Sequence, residues 1–250
     1  KDSSQDRYLM GLQAGLDGKP HEDLSLKGAI AYYQFFNMRG QESNPCDVLN
    51  QTDQCDTDIT RQQYQQKGNT YFALRNIIPN AANNFGADNQ YQYFGLASKY
   101  QELVLTTRAD LSTYDPIHII FDGEFVANLG FDKNEIQKKN LVNNTDDNGN
   151  VDGGNLGFKT KVTVGHPKIE DRWDWNVSLG YKYLESDAVV DGLTDSDFNL
   201  GGTNAQGFVL GGNLGIAKNT WFGARWLSSN EVDGPSVGID VFQFDLNAKF

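Results

Sequence analysis

Residues 241–250 read VFQFDLNAKF, and their two parities differ in character. Phe242, Phe244, Leu246, Ala248 and Phe250 would share one side of an extended chain, with Gln243, Asp245, Asn247 and Lys249 on the other. A helix would scatter both sets, so the stretch reads as a strand with one apolar and one polar face. In a soluble sandwich the apolar face would pack on a second sheet. In a membrane barrel it would meet lipid, and the polar face would meet enclosed water.

The same alternation recurs upstream. Trp173, Trp175, Val177, Leu179, Tyr181 and Tyr183 oppose Asp174, Asn176, Ser178, Gly180 and Lys182. Further strands are expected over residues 8–17, 24–36, 103–111, 117–127, 158–164, 208–216 and 222–226. A turn is expected at Gly18-Lys19-Pro20, and Tyr32, Tyr33, Phe35 and Phe36 read as an interfacial aromatic belt. Short turns at 113–116, 166–172 and 217–219 alternate with long segments at 37–98, 130–155, 185–206 and 229–239. That is the rhythm of strands running up and down through a slab, with tight turns inside and long loops outside.

Composition supports strands over helices: 26 Gly, 11 Tyr, 15 Phe and 4 Trp stand against 2 Met. No run approaches the roughly 18 apolar residues of a membrane helix, so any span must be built from strands. A net charge of -12 argues against a nucleic-acid partner, whose phosphates demand a basic stripe. The opening KDSSQD has no signal-peptide character, so the chain is expected to be mature or to begin partway through a longer product. About nine membrane strands can be counted, with the first running inward, whereas single-chain bacterial barrels have an even number. Upstream strands, or strands within 37–98, are therefore expected to complete the count.

Full charges fall on the polar parity: Arg108, Asp122, Glu124, Lys159, Lys161, Asp174, Lys182, Arg225 and Asp245. Around an aqueous channel such side chains set the local field, so they are the expected pore lining. Because both signs are present, the preferred ion does not follow from the sequence. The competing reading is a lumen closed by salt bridges or by the 37–98 segment. Cys46 and Cys55 lie close together in a polar stretch with no other cysteine and no nearby histidine, which reads as a local disulfide and an oxidising compartment. Segment 144–155, NTDDNGNVDGGN, puts Asn144, Asp146, Asn148, Asn150 and Asp152 at the alternate positions of a calcium loop. Asn144 and Asn155 stand where such loops favour acids, and a plain Asx-Gly surface loop is the competing reading. Catalysis is not expected. His118 and His166 are placed on opposite sides of the barrel, and no GxSxG or HExxH string occurs.

The chain also resembles the C-terminal part of the putative porin family of Gram-negative outer membranes. The resemblance rests on DWNVSLGYKYLESDAVVDGLTDSDFNLGGTNAQGFVLGG (174–212), NTWFGARWLSSNEVDGP (219–235) and IDVFQFDLNAKF (239–250), with SLKGAIAYYQFFN, QQKGNTYFAL and GEFVANLGFDKNEI upstream. It implies an all-β antiparallel transmembrane barrel in the bacterial outer membrane, with no catalytic residues to carry over; apart from the calcium that the spacing in 144–155 suggests, no cofactor is expected. Residues 1–250 are expected to be a single barrel domain, part of a larger barrel, with 37–98 as an extracellular or lumen-folded loop region. The expected function is passive diffusion of small polar or ionic solutes, the alternative being a scaffold barrel plugged by a loop or partner protein. Expected partners are the lipid bilayer and small solutes, with either a second copy of the chain or an N-terminal barrel segment completing the wall.

Overall fold

The structure, a computed structural model, describes residues 6–87 and 91–249. Phe250, the last apolar position of the terminal strand, lies outside them, as do residues 1–5. Nine long strands form one antiparallel sheet: β1 (Tyr8–His21), β2 (Leu24–Phe36), β5 (Gln101–Tyr114), β6 (Ile117–Asn128), β7 (Leu156–Gly165), β8 (Trp175–Leu184), β9 (Ala205–Ala217), β10 (Thr220–Glu231) and β11 (Ile239–Ala248). A two-stranded sheet, β3 (Tyr71–Ala73) with β4 (Phe94–Leu96), lies within the connection from β2 to β5. Strand order follows the chain throughout the large sheet, as in a meander.

The nine long strands match the count expected from the sequence, and the 37–98 segment adds none to the large sheet. Consecutive strands alternate in direction, so β1 and β11 run the same way. Among the described residues each of these two pairs on one side only.

Register fixes the two faces. Leu26, Ala109, Phe121, Val162, Leu179, Leu210, Trp226 and Phe242 are successive cross-strand partners and share one face. One residue along, Lys27, Arg108, Asp122, Lys161, Gly180, Val209, Leu227 and Val241 share the other. Among the described residues the apolar face carries no second layer: Trp175 is 39% exposed, Val177 49% and Leu179 55%. Among the described residues the buried side chains of the large sheet belong to the polar parity. There Val126 and Leu184 pack with Ala188, and Leu227 and Ala205 pack with Phe198. A soluble sandwich would bury its apolar face, so this arrangement differs from a sandwich and has the face pattern of a β-barrel wall.

Three local expectations are corrected. β1 continues through Gly18-Lys19-Pro20, and the turn falls at Glu22-Asp23. Pro20 is accommodated because it lies in a register irregularity between Gly18 and His21 on an edge strand, where its missing N–H breaks no ladder bond. Only Tyr32 and Phe36 of the expected belt share the apolar face; Tyr33 and Phe35 have the other parity, and Phe35 packs on Tyr100 beneath the long loops. His118 and His166 do not lie on opposite sides: His118 pairs in register with Gly165, so both are at the short-turn end of neighbouring strands.

The long connections are folded. Cys46 and Cys55 form the expected disulfide, and β3 and β4 build a small core of Phe72, Leu74 and Ala97 with Ile136 and Val151 from the β6–β7 connection. Ile136 is presented by the short helix α1 (Lys133–Gln137), whose first turn is capped by the Asp132 carboxylate accepting from the Asn134 and Glu135 amides. Arg75 holds this layer together. Its guanidinium donates to the Asp58 carboxylate at 2.7 Å and to the carbonyls of Asp53 and Tyr91, and stands 4.3 Å from the centre of the Tyr93 ring.

Candidate functional site

The polar face carries charge in ordered rows. Asp17 bonds Lys27 at 2.7 Å, Lys27 sits in register beside Arg108, and Asp122 accepts from Arg108 at 3.1 Å and lies 3.3 Å from the Lys161 ammonium. The next row toward the long loops holds Thr106, Glu124, Lys159 and Lys182 as successive partners. Lys159 and Lys182 therefore face each other directly, and among the described residues neither has a carboxylate within 4.0 Å. Together Lys27, Arg108, Asp122, Glu124, Lys159 and Lys161 line a recess of about 390 Å³.

Eight of the nine charges expected on the lumen side occupy strand positions of this face. Arg225 opposes Gln243, and Asp245 opposes Gly223, on the same side. Asp174 is the exception. β8 begins at Trp175, and the Asp174 carboxylate accepts the amides of Glu170 and Asp171 and lies 3.4 Å from the His166 ring, so it organises the short β7–β8 connection. Those two amides hold its pKa below the ordinary carboxylate value. Trp173, expected in the strand, lies in the same connection with a positive φ.

Residues 185–204 lie against the polar face. Arg225 bonds Asp197 at 3.0 Å, the Lys182 ammonium stands 4.8 Å from the centre of the Phe198 ring, and Phe198 is buried with Leu227. A polar latch fixes this loop to the 37–98 layer. Tyr71 donates to the Asp191 carboxylate at 2.7 Å and Tyr100 to Asp187 at 3.1 Å, while the Thr70 amide donates to Asp187 at 3.0 Å. Asn69 donates to the carbonyls of Ser186 and Val189 and accepts the Asp191 amide. Asn128, at the end of β6, donates to the Asp187 carbonyl at 2.8 Å, which ties the latch to the wall.

Asp187 and Asp191 are both fully buried. Burial pushes both carboxyls up in pKa, against the opposing pull of hydrogen bonds from Thr70, Tyr100 and Ser186 on Asp187 and from Tyr71 on Asp191. Gly68 makes the close approach possible. Its φ of 112° is one that side chains rarely adopt, and a Cβ there would run into the Thr203 backbone.

The family profile of the putative porins matches residues 1–250, the whole chain. The chain belongs to the putative porin family. Membership implies an outer-membrane, porin-like role. No curated protein matches this porin chain.

Two of the calcium candidates of this porin are already engaged in hydrogen bonds, Asp146 within its own loop and Asn144 with the 37–98 segment. Asp146 accepts from the Asn148 and Asn150 amides and from the Asn150 side chain, and the Asn144 amide donates to the Gly68 carbonyl at 2.7 Å. Among the described residues no group of three or more His, Cys, Asp or Glu side chains, Asp152 included, gathers as a metal site. The sequence reading singled out the wall charges and missed the latch. Its one visible signal is the density of Asp and Ser in ESDAVVDGLTDSD, too polar a segment for an ordinary buried loop.

Proposed function

We propose that this chain is part of the wall of a passive diffusion channel of the bacterial outer membrane, conducting small polar or ionic solutes. One observation carries the reading. Among the described residues, along nine paired strands the apolar parity is bare and the charged parity is turned toward the side that the long loops cover. Lipid on the bare side and water on the charged side satisfy both faces at once. Because β1 and β11 run in the same direction, antiparallel closure requires an odd number of further strands between them, from the same polypeptide or from a partner.

A second reading, a scaffold barrel with an occupied lumen, is favoured by the latch, which pins residues 185–204 against the polar face. Planar-bilayer recording on the full polypeptide separates the two. Stepwise, ohmic current from heat-modifiable protein supports the channel. Silence from the same folded material supports the scaffold.

A further inference from the structure

Beneath residues 185–204 lies a second space of about 680 Å³, within the range of small-molecule sites. Its lining is polarised. Toward the long-loop end it is walled by Phe35, Val104, Val126, Val189, Val190 and Leu193. One row further along the strands it is walled by Lys159 and Lys182, with Lys161 and Arg225 beyond. Successive rows on one face are two residues apart, so the apolar and cationic ends are separated by about 7 Å.

Part of the wall is glycine, Gly180 and Gly211 lining the space without side chains. Four cationic groups there meet three carboxylates, Glu102, Glu124 and Asp195, in a chain whose overall charge is -12. The cations are unequally satisfied. Lys161 and Arg225 already have Asp122 and Asp197, whereas Lys159 and Lys182 have no such partner among the described residues. Glu102 stands apart at the apolar end, 8% exposed, with one carboxyl oxygen lacking a hydrogen-bond partner.

We infer that this space is a binding step for amphiphilic organic monoanions, the carboxylate lying between Lys159 and Lys182 and a short apolar body against Val104, Val126 and Val190. The inference rests on the channel reading and names the class of solute that the wall favours. Two ammonium groups held by strand register form a fixed anion site, and the valine row above them rejects fully hydrated ions.

The test uses the full polypeptide in planar bilayers in potassium chloride, with hexanoate, acetate and hexylamine added in turn. Hexanoate is expected to interrupt the current at concentrations at least tenfold below those at which acetate does, and hexylamine to have no such effect. Lys159→Gln with Lys182→Gln should raise the half-blocking hexanoate concentration at least tenfold, and Val104→Ser should erase the preference for hexanoate over acetate. Equal block by hexanoate and acetate, or block unchanged in the lysine variant, overturns the inference and leaves the channel standing. If folded protein passes no current, the channel reading falls, and calorimetric titration of hexanoate into detergent-folded protein decides the site. Binding lost in the lysine variant supports it, and no binding overturns it.

Discussion

The Tyr71 hydroxyl and the Asp191 carboxylate meet at 2.7 Å although 120 residues separate them in the chain. The bond joins the connection between β2 and β5 to the one between β8 and β9, so two long loops behave as one layer over the polar face. Removing the hydroxyl with Tyr71→Phe leaves a buried acid with one donor fewer, a loss of about 1–3 kcal/mol. Gly68→Ala should loosen the same contact by strain. In both variants hydrogen exchange of amides 186–204 should accelerate while strand amides keep their protection. Equal acceleration in sheet and loop would show that the latch is not a separate unit.

The latch should respond to pH with a definite sign. Asp187 and Asp191 have raised pKa values when folded, because burial outweighs their hydrogen bonds. The closed latch therefore binds protons more tightly than the opened one. Its extra stability is full below the ordinary carboxylate value of about 4 and is lost as pH rises through the two raised values. Exchange of amides 186–204, corrected for intrinsic rates, should show weaker protection at about pH 8 than at about pH 4. Asp187→Asn with Asp191→Asn should flatten that trend, and protection that strengthens with pH would contradict the account.

Arg75 should matter locally and strongly. Its side chain is 1% exposed, and its partner Asp58 has no other cation within reach among the described residues. Arg75→Ala strands a buried carboxylate, which typically costs about 3–5 kcal/mol. The 37–98 segment should become protease-sensitive while the sheet retains heat-modifiable migration. Replacement by methionine should be no better, because Asp58 is still left unpaired.

Asp122 tunes charge rather than stability. Its pairs with Arg108 and Lys161 are partly exposed, so Asp122→Asn should change stability by no more than about 1 kcal/mol. It leaves two cations unmatched on the wall. The zero-current potential across a salt gradient should then move toward the chloride equilibrium potential, and movement toward potassium would contradict the proposed lumen-facing placement.

Sequence pattern and structure agree where one rule governs. Strand existence and face assignment follow from period-two alternation, which is why Asp245 and Arg225 could be placed from the chain alone. Strand ends are harder to read. Trp173 matched the apolar parity, yet a positive φ there and the pull of Asp174 on two backbone amides delay the start of the strand by two residues, to Trp175. The latch was illegible for a different reason. Asn69, Asp187 and Asp191 lie in irregular segments and Tyr71 in a three-residue strand, and only long-range contacts give these polar residues a buried, hydrogen-bonded environment. Their pairing follows no local period, so one sequence could not reveal it.

The division of the sheet into a lipid side and a water side can be tested by placing the same residue on each. Leu179 and Thr163 lie on adjacent strands, Leu179 on the apolar face and Thr163 on the polar one, and one residue apart in level because Thr163 pairs with Ser178. An arginine at position 179 would carry its charge into hydrocarbon, which costs about 2–4 kcal/mol near the middle of a membrane strand. At position 163 the guanidinium would point toward water and neighbouring Ser178, and folding should change little. Urea titration of refolding into lipid vesicles should therefore separate Leu179→Arg from Thr163→Arg by at least about 2 kcal/mol. If the ranking reverses, the apolar face meets water or protein, and every assignment of the charged rows to a lumen fails with it.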